Sequence, residues 1–133
     1  MARSRRARMV ISTVEPGIHA ISIEGKLDAD AGLRLRRLVA ARLTLIRSGR
    51  DLTTRCLVID LGLVDRATSL GLEAVIQAGR DTSRTSASFA LTGDQTVFGV
   101  LPREDRAVIS ALPCYPSLAE AGQALGASSR RLS

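Results

Sequence analysis

Tryptophan is absent from this sequence, and aromatic residues of any kind make up only 2% of it. That scarcity removes the stacking platforms with which single-strand nucleic-acid binders hold bases. It also requires any core to be built from Leu, Val, Ile and Ala. Histidine occurs once, as His19, and cysteine twice, as Cys56 and Cys114. One imidazole and two separated thiols cannot supply the usual ligand set of a zinc site. Two cysteines are also too few for a disulfide framework. They read as buried or half-buried thiols in a reducing cytoplasm, and sequence does not say whether they lie close enough for a redox-linked pair. The single lysine, Lys26, lies outside any glycine-rich loop, and neither glycine pattern of a phosphate-binding turn is present. No apolar run approaches the ~20 residues of a membrane-spanning helix, and the arginine-bearing N-terminus lacks the apolar stretch of a secretory signal. No cofactor, no metal and no membrane are therefore expected.

What is present is charge, unevenly placed. The net charge of +6 points towards nucleic acid until it is located. Arg3, Arg5, Arg6 and Arg8 precede the first apolar run, and Arg130 and Arg131 lie in the last four residues. With those six set aside, 13 basic residues face 13 acidic ones. The body is formally neutral, and the basicity belongs to two tails. A basic arm of residues 1–8 could hold phosphates in a salt-dependent way, but the reading favoured here is a solubilising tail, which argues against a nucleic-acid partner. The 45% of apolar residues suffices for one folded domain of this length.

The chain reads as two β-type runs, 9–14 and 18–27, split by the turn signal Glu15-Pro16-Gly17. Within the second, His19, Ile21, Ile23 and Leu27 share one face by period-2 spacing. Asp28 and Asp30 offer N-cap chemistry for a helix over 31–47, whose Leu35, Leu38, Val39, Leu45 and Ile46 recur at helical spacing. The apolar run 56–61, closed by Asp60, has the signature of a strand covered on both faces. A helix follows over about 69–83 and a short strand over 88–92. A weaker helical patch at 96–101, a strand-like run at 107–112 and a helix over 117–125 complete the series. The order ββαβαβαβα implies an α/β fold with a mixed, mostly parallel sheet opened by a hairpin. One domain is expected over residues 9–125, with a flexible tail over 126–133.

Ala67-Thr68-Ser69-Leu70-Gly71 is one residue short of the hydrolase nucleophile elbow. His19 lies far upstream, in the wrong chain order for a catalytic partner, and a serine without a base is a weak nucleophile. No enzyme is expected. Asp28, Asp30, Asp60 and Asp65 could hold a hard cation, but an N-cap role for Asp28 or Asp30 and a strand-end role for Asp60 are the simpler assignments. Ser69 has a different prospect. It lies at a helix start, where free backbone N–H groups and partial positive charge favour an added phosphate. Gly71 is read as leaving that first turn open to a close-approaching partner. The local alternative is that Thr68 or Ser69 serves only as an N-cap.

The stretch Cys56-Leu-Val-Ile-Asp-Leu-Gly-Leu-Val-Asp-Arg-Ala-Thr-Ser-Leu-Gly-Leu72 resembles the central motif of STAS domains, the fold of bacterial anti-sigma factor antagonists. Glu24-Gly-Lys-Leu-Asp28 is similar to the family's Gly-x-Leu-Asp segment, and Tyr115-Pro-Ser-Leu-Ala-Glu-Ala121 to the opening of its last helix. The resemblance spans about residues 9–125. It implies a STAS-like sheet with helices packed mainly on one side, and a cytoplasmic protein that binds an anti-sigma factor of kinase-like fold. By position it implies Ser69 as the phosphoacceptor and Asp28, Arg66, Thr68, Leu70 and Gly71 as docking residues; a homodimer is left open. The sequence departs from the family pattern at Thr68, where the motif has Asp, at Leu70, where it has Ser or Thr, and at Arg66-Ala67, where an apolar pair is usual. Those departures keep a second reading in play, a STAS-type interaction domain that works without phosphorylation.

Overall fold

A computed structural model describes residues 6–132. Arg3 and Arg5 of the basic arm lie outside the described residues. Two antiparallel strands, β1 (Arg8–Glu15) and β2 (Ile18–Leu27), open the fold, and Gly17 at φ 83° makes the turn between them. Helix α1 (Ala29–Arg47) comes next in the chain. It leads to β3 (Cys56–Ala67), α2 (Ser69–Ser83), β4 (Ser88–Thr92), a 3₁₀ turn (Gln95–Val100), α3 (Arg103–Ser110), β5 (Cys114–Tyr115) and α4 (Leu118–Leu132). The five strands lie in the order β1-β2-β3-β4-β5, parallel from β2 onward. This is the mixed, mostly parallel α/β sheet expected from the sequence.

Strand alternation divides the core in two. Ile21, Ile23 and Leu27 of β2, Leu57, Ile59 and Leu61 of β3, and Phe89 and Leu91 of β4 point to one face. There Leu35, Val39 and Leu43 of α1 and Leu72, Val75 and Ile76 of α2 cover them, with Ile109 of α3. The opposite face carries the smaller set Ile18, Ala20, Cys56, Val58 and Ala90, against Leu118 and Leu125 of α4. Three helices therefore cover one face and one covers the other. Ala7, just ahead of β1, is buried and its carbonyl accepts a bond from Arg34 Nη1 at 2.6 Å.

Three element expectations need correction. The run 107–112 is not a strand; residues 107–110 close α3, and Ala111 and Leu112 form the turn after it. Pro102 ahead of α3 and Glu104 and Asp105 in its first turn are helix-start chemistry, and Val108, Ile109 and Leu112 reach the core at helical spacing. The fifth strand is instead the two-residue Cys114–Tyr115. The strand expected over 56–61 runs on to Ala67, and the helix expected over 117–125 runs to Leu132, whereas the helical patch expected at 96–101 is present as the 3₁₀ turn.

The α1–β3 connection is pinned by Asp51. Its carboxylate accepts from Thr53 N and Thr54 N, both at 3.0 Å, from the Thr53 and Thr54 hydroxyls, and from Arg42 Nη1 at 2.9 Å. These bonds, led by that of the Thr54 hydroxyl, hold the carboxyl well below the usual carboxylate range. A depressed carboxyl contributes stability that is present above its unfolded-state pKa of about 4 and is lost as pH falls below it. Asp51→Ala is expected to cost about 3 kcal/mol in denaturant unfolding at neutral pH. Asp51→Asn is expected to flatten the fall of stability below about pH 4.

Candidate functional site

The site is built by the far end of the β2–β3 ladder. Asp60 ends the apolar run of β3 and ties three strands together. Its carboxylate accepts from Ser22 Oγ of β2 at 3.0 Å, from Thr92 Oγ1 of β4 at 2.8 Å and from Gly62 N at 3.0 Å. The strand-end role expected for Asp60 is corrected: β3 runs on to Ala67, and Asp60 sits in mid-strand at the level where the neighbouring β4 ends. β4 stops at this level and β1 ends opposite Glu24, while β2 and β3 continue to the pair Leu27 and Ala67. The ladder shifts register twice on the way, between Ser22 and Glu24 and between Gly25 and Lys26.

The ladder delivers two helix starts side by side. Asp28 caps α1, its Oδ1 accepting from Ala31 N at 3.0 Å. Thr68 caps α2, its hydroxyl accepting from Gly71 N at 3.2 Å, and Thr68 N donates to Leu27 O at 3.0 Å. Gly71 is buried in this junction. A Cβ there would lie 2.1 Å from Leu27 O and 2.6 Å from its carbonyl carbon, so only glycine lets the first turn of α2 close onto the end of β2. The expectation that Gly71 faces an approaching partner is thus corrected: the close approach is internal, and it fixes the position of its exposed neighbours.

Those neighbours are Ser69 and Leu70. The Ser69 hydroxyl is exposed and donates only a long bond, 3.5 Å, to Val100 O, so it is not tied to the fold. Leu70 is 63% exposed, and Val100, at 55%, lies beside Ser69. Leu70 also lines a groove of about 600 Å³ between α1 and α2, together with Leu33, Arg36, Ala74 and Arg80. Arg66 is exposed on the last residues of β3. The structure therefore gathers Asp28, Arg66, Thr68, Ser69 and Leu70 at one end of the molecule. The carboxylate of Asp28 and the hydroxyl of Thr68 are engaged as caps. No acidic residue occupies the first turn of α2, so its positive end is not offset from within the helix.

Leu33 and Val100 were not singled out in the sequence. Leu33 left one signal, an apolar residue off the α1 stripe; Val100 left none, because its neighbours read as a helix.

Other pairings weighed in the sequence are not formed. His19 pairs in register with Leu57 at the start of β3, while Ser69 lies beyond its end, roughly 30 Å away at strand rise. His19 instead shares a hydrogen bond with Thr13 Oγ1 at 3.2 Å. Cys56 belongs to the α4-side cluster and Cys114 packs on the other face, two strands away and three residues further along, roughly 14 Å and beyond disulfide reach. Burial pushes both thiols up. Among the described residues no His, Cys, Asp and Glu group as metal ligands, and no helix is long and apolar enough to cross a membrane.

No family model and no curated protein matches the sequence. Solved structures do match the fold. An anti-sigma factor antagonist from Mycobacterium paratuberculosis superposes with a TM-score of 0.71 at 18% identity, over 93% of this chain and 97% of that one. The anti-sigma factor antagonist SpoIIAA in its unphosphorylated form gives 0.63 at 15% identity, over 92% and 98%. The structure of SLC26A9 gives 0.64 at 14% identity over 97% of this chain, which spans 26% of that protein. This chain therefore has the STAS fold of the anti-sigma factor antagonists, over nearly its whole length and theirs.

Proposed function

We propose that the chain is an anti-sigma factor antagonist that docks a kinase-like anti-sigma factor on the start of α2, with Ser69 as its phosphoacceptor. The observation that carries the reading is the pairing of an untied Ser69 hydroxyl with the exposed Leu70 on a helix start held rigid by the Gly71–Leu27 contact. A rigid, partly apolar surface supports tight docking because little order has to be gained on binding. A phosphate of nearly two negative charges placed in that surface changes both its fit and its desolvation. Thr68 supports the same use. It keeps the helix cap that a carboxylate would provide, and as a neutral group it does not repel a phosphate on the next residue.

Incubation with kinase-fold anti-sigma factors and ATP, with peptide mass spectrometry as the readout, is expected to place phosphate on Ser69. The capped Thr68 hydroxyl is expected to stay unmodified. Ser69→Glu is expected to weaken capture of the anti-sigma factor, and Ser69→Ala to retain it.

The departures at Arg66 and Leu70, which put a charge and an apolar side chain where the family pattern has an apolar residue and a hydroxyl, favour a second reading, a docking domain whose binding is not switched by phosphate. Under that reading Ser69 stays unmodified in the same incubation, and Ser69→Glu binds as the wild type does.

A further inference from the structure

The geometry points to a second interaction surface: the outer edge of β1, which pairs antiparallel with the β1 edge of a second copy of this chain. The two edges of the sheet differ. β5 is two residues long, whereas β1 has eight, and among the described residues no strand pairs with its outer side. Exposed edges are ordinarily kept short, bulged, or given charge or proline in mid-strand. The residues of β1 from Met9 to Thr13 contain no charge, no proline and no bulge, and its one register shift comes after Thr13. Ile11 lies opposite Ile21 on the helix-rich face of the sheet, yet is 56% exposed, beyond the cover of α1.

The charges of β1 select the occupant. They stand only at its two ends, Arg8 and Glu15, and both sit on the α4 face. Arg8 lies opposite Glu24, and the register shift after Thr13 places Glu15 opposite Ile18, a member of the α4-side cluster. About a twofold axis at Ile11, antiparallel pairing sets Ile11 against Ile11. It also brings Arg8 of each copy to within one residue of Glu15 of the other. Parallel pairing would set Arg8 beside Arg8, a like-charge contact that disfavours it. A self-complementary edge of this kind gives a closed, twofold dimer that joins two five-stranded sheets into one. Ser69 comes directly after β3, two strands in from β1, so the pair would present two open docking surfaces on one particle, with the gain in avidity that this brings.

Sedimentation equilibrium of the full chain across the micromolar range tests this. The expected species is a dimer of twice 14.1 kDa. Ile11→Lys, at an exposed position, is expected to leave the thermal melt of the monomer unchanged and to weaken self-association by about tenfold or more. Arg8→Glu alone is expected to weaken it, and Arg8→Glu combined with Glu15→Arg to restore it. A monomer at every concentration, a dimer indifferent to Ile11→Lys, or a double exchange no better than the single one would each overturn the proposal. So would a β1 edge that pairs only with a foreign protein.

Discussion

Gly71→Ala is expected to destabilise the fold by about 3 kcal/mol or more, lowering the melting temperature by about 10 °C. The sign is what makes the result informative. Glycine within a helix ordinarily costs about 0.5–1 kcal/mol relative to alanine, so an exchange judged on helix propensity alone would stabilise. Here the added methyl would meet a backbone carbonyl, Leu27 O at 2.1 Å, rather than the movable end of a side chain. Relief requires α2 to draw back from the end of β2, which disturbs Thr68 N→Leu27 O and the cap that Thr68 forms on Gly71 N. Thermal unfolding monitored by circular dichroism measures the stability. Amide exchange at Thr68 and Gly71 reports whether the junction loosens. A stabilised variant would show that the close approach does not constrain the site.

Leu70→Asp is expected to act in the opposite sense, leaving stability within about 0.5 kcal/mol and weakening anti-sigma factor binding by at least about 30-fold. Leu70 is 63% exposed, and exposed positions without partners tolerate substitution. At a docked interface the same side chain would be desolvated beside the groove lined by Leu33 and Ala74, the setting in which one residue carries about 2 kcal/mol or more. A buried, unpaired carboxylate adds its own penalty. Calorimetric titration and a denaturant melt on the same preparation separate the two effects. Equal losses in both would mean that Leu70 is a structural residue.

Much of this arrangement was legible because burial on both faces leaves a plain mark. The run from Cys56 to Asp60 is continuous and apolar, and it forms the centre of the sheet. The helix over 69–83 keeps its stripe because Leu72, Val75 and Ile76 all reach the core. The end of β3 was not legible for the same reason. Residues 62–67 pair with β2 alone, as an extension with an exposed face, so Gly62, Asp65 and Arg66 read as loop. Strand and helix were confused at 107–112, where a short apolar run gives no period, and there the acids after Pro102 were the better guide.

Within the site, Ser69 was placed by its motif and Asp28 by its capping chemistry. Gly71 was recognised as special but assigned to the wrong neighbour. A glycine needed for close approach looks the same in sequence whether the approaching group is a partner or Leu27 of the same chain. Leu33 and Val100 come near Ser69 and Leu70 only through packing of α1 and of the 3₁₀ turn, which no local pattern encodes.

The central claim, that the start of α2 is the docking surface, is tested most directly by site-specific photo-crosslinking. A photoreactive side chain replaces Leu70 in one preparation and Leu52 in another. Leu52 is 87% exposed and lies in the α1–β3 connection, at the end of β3 remote from Ser69. With a kinase-fold anti-sigma factor present, irradiation is expected to join the two proteins from position 70 and not from position 52. Crosslinking from position 52 with none from position 70 would contradict the account.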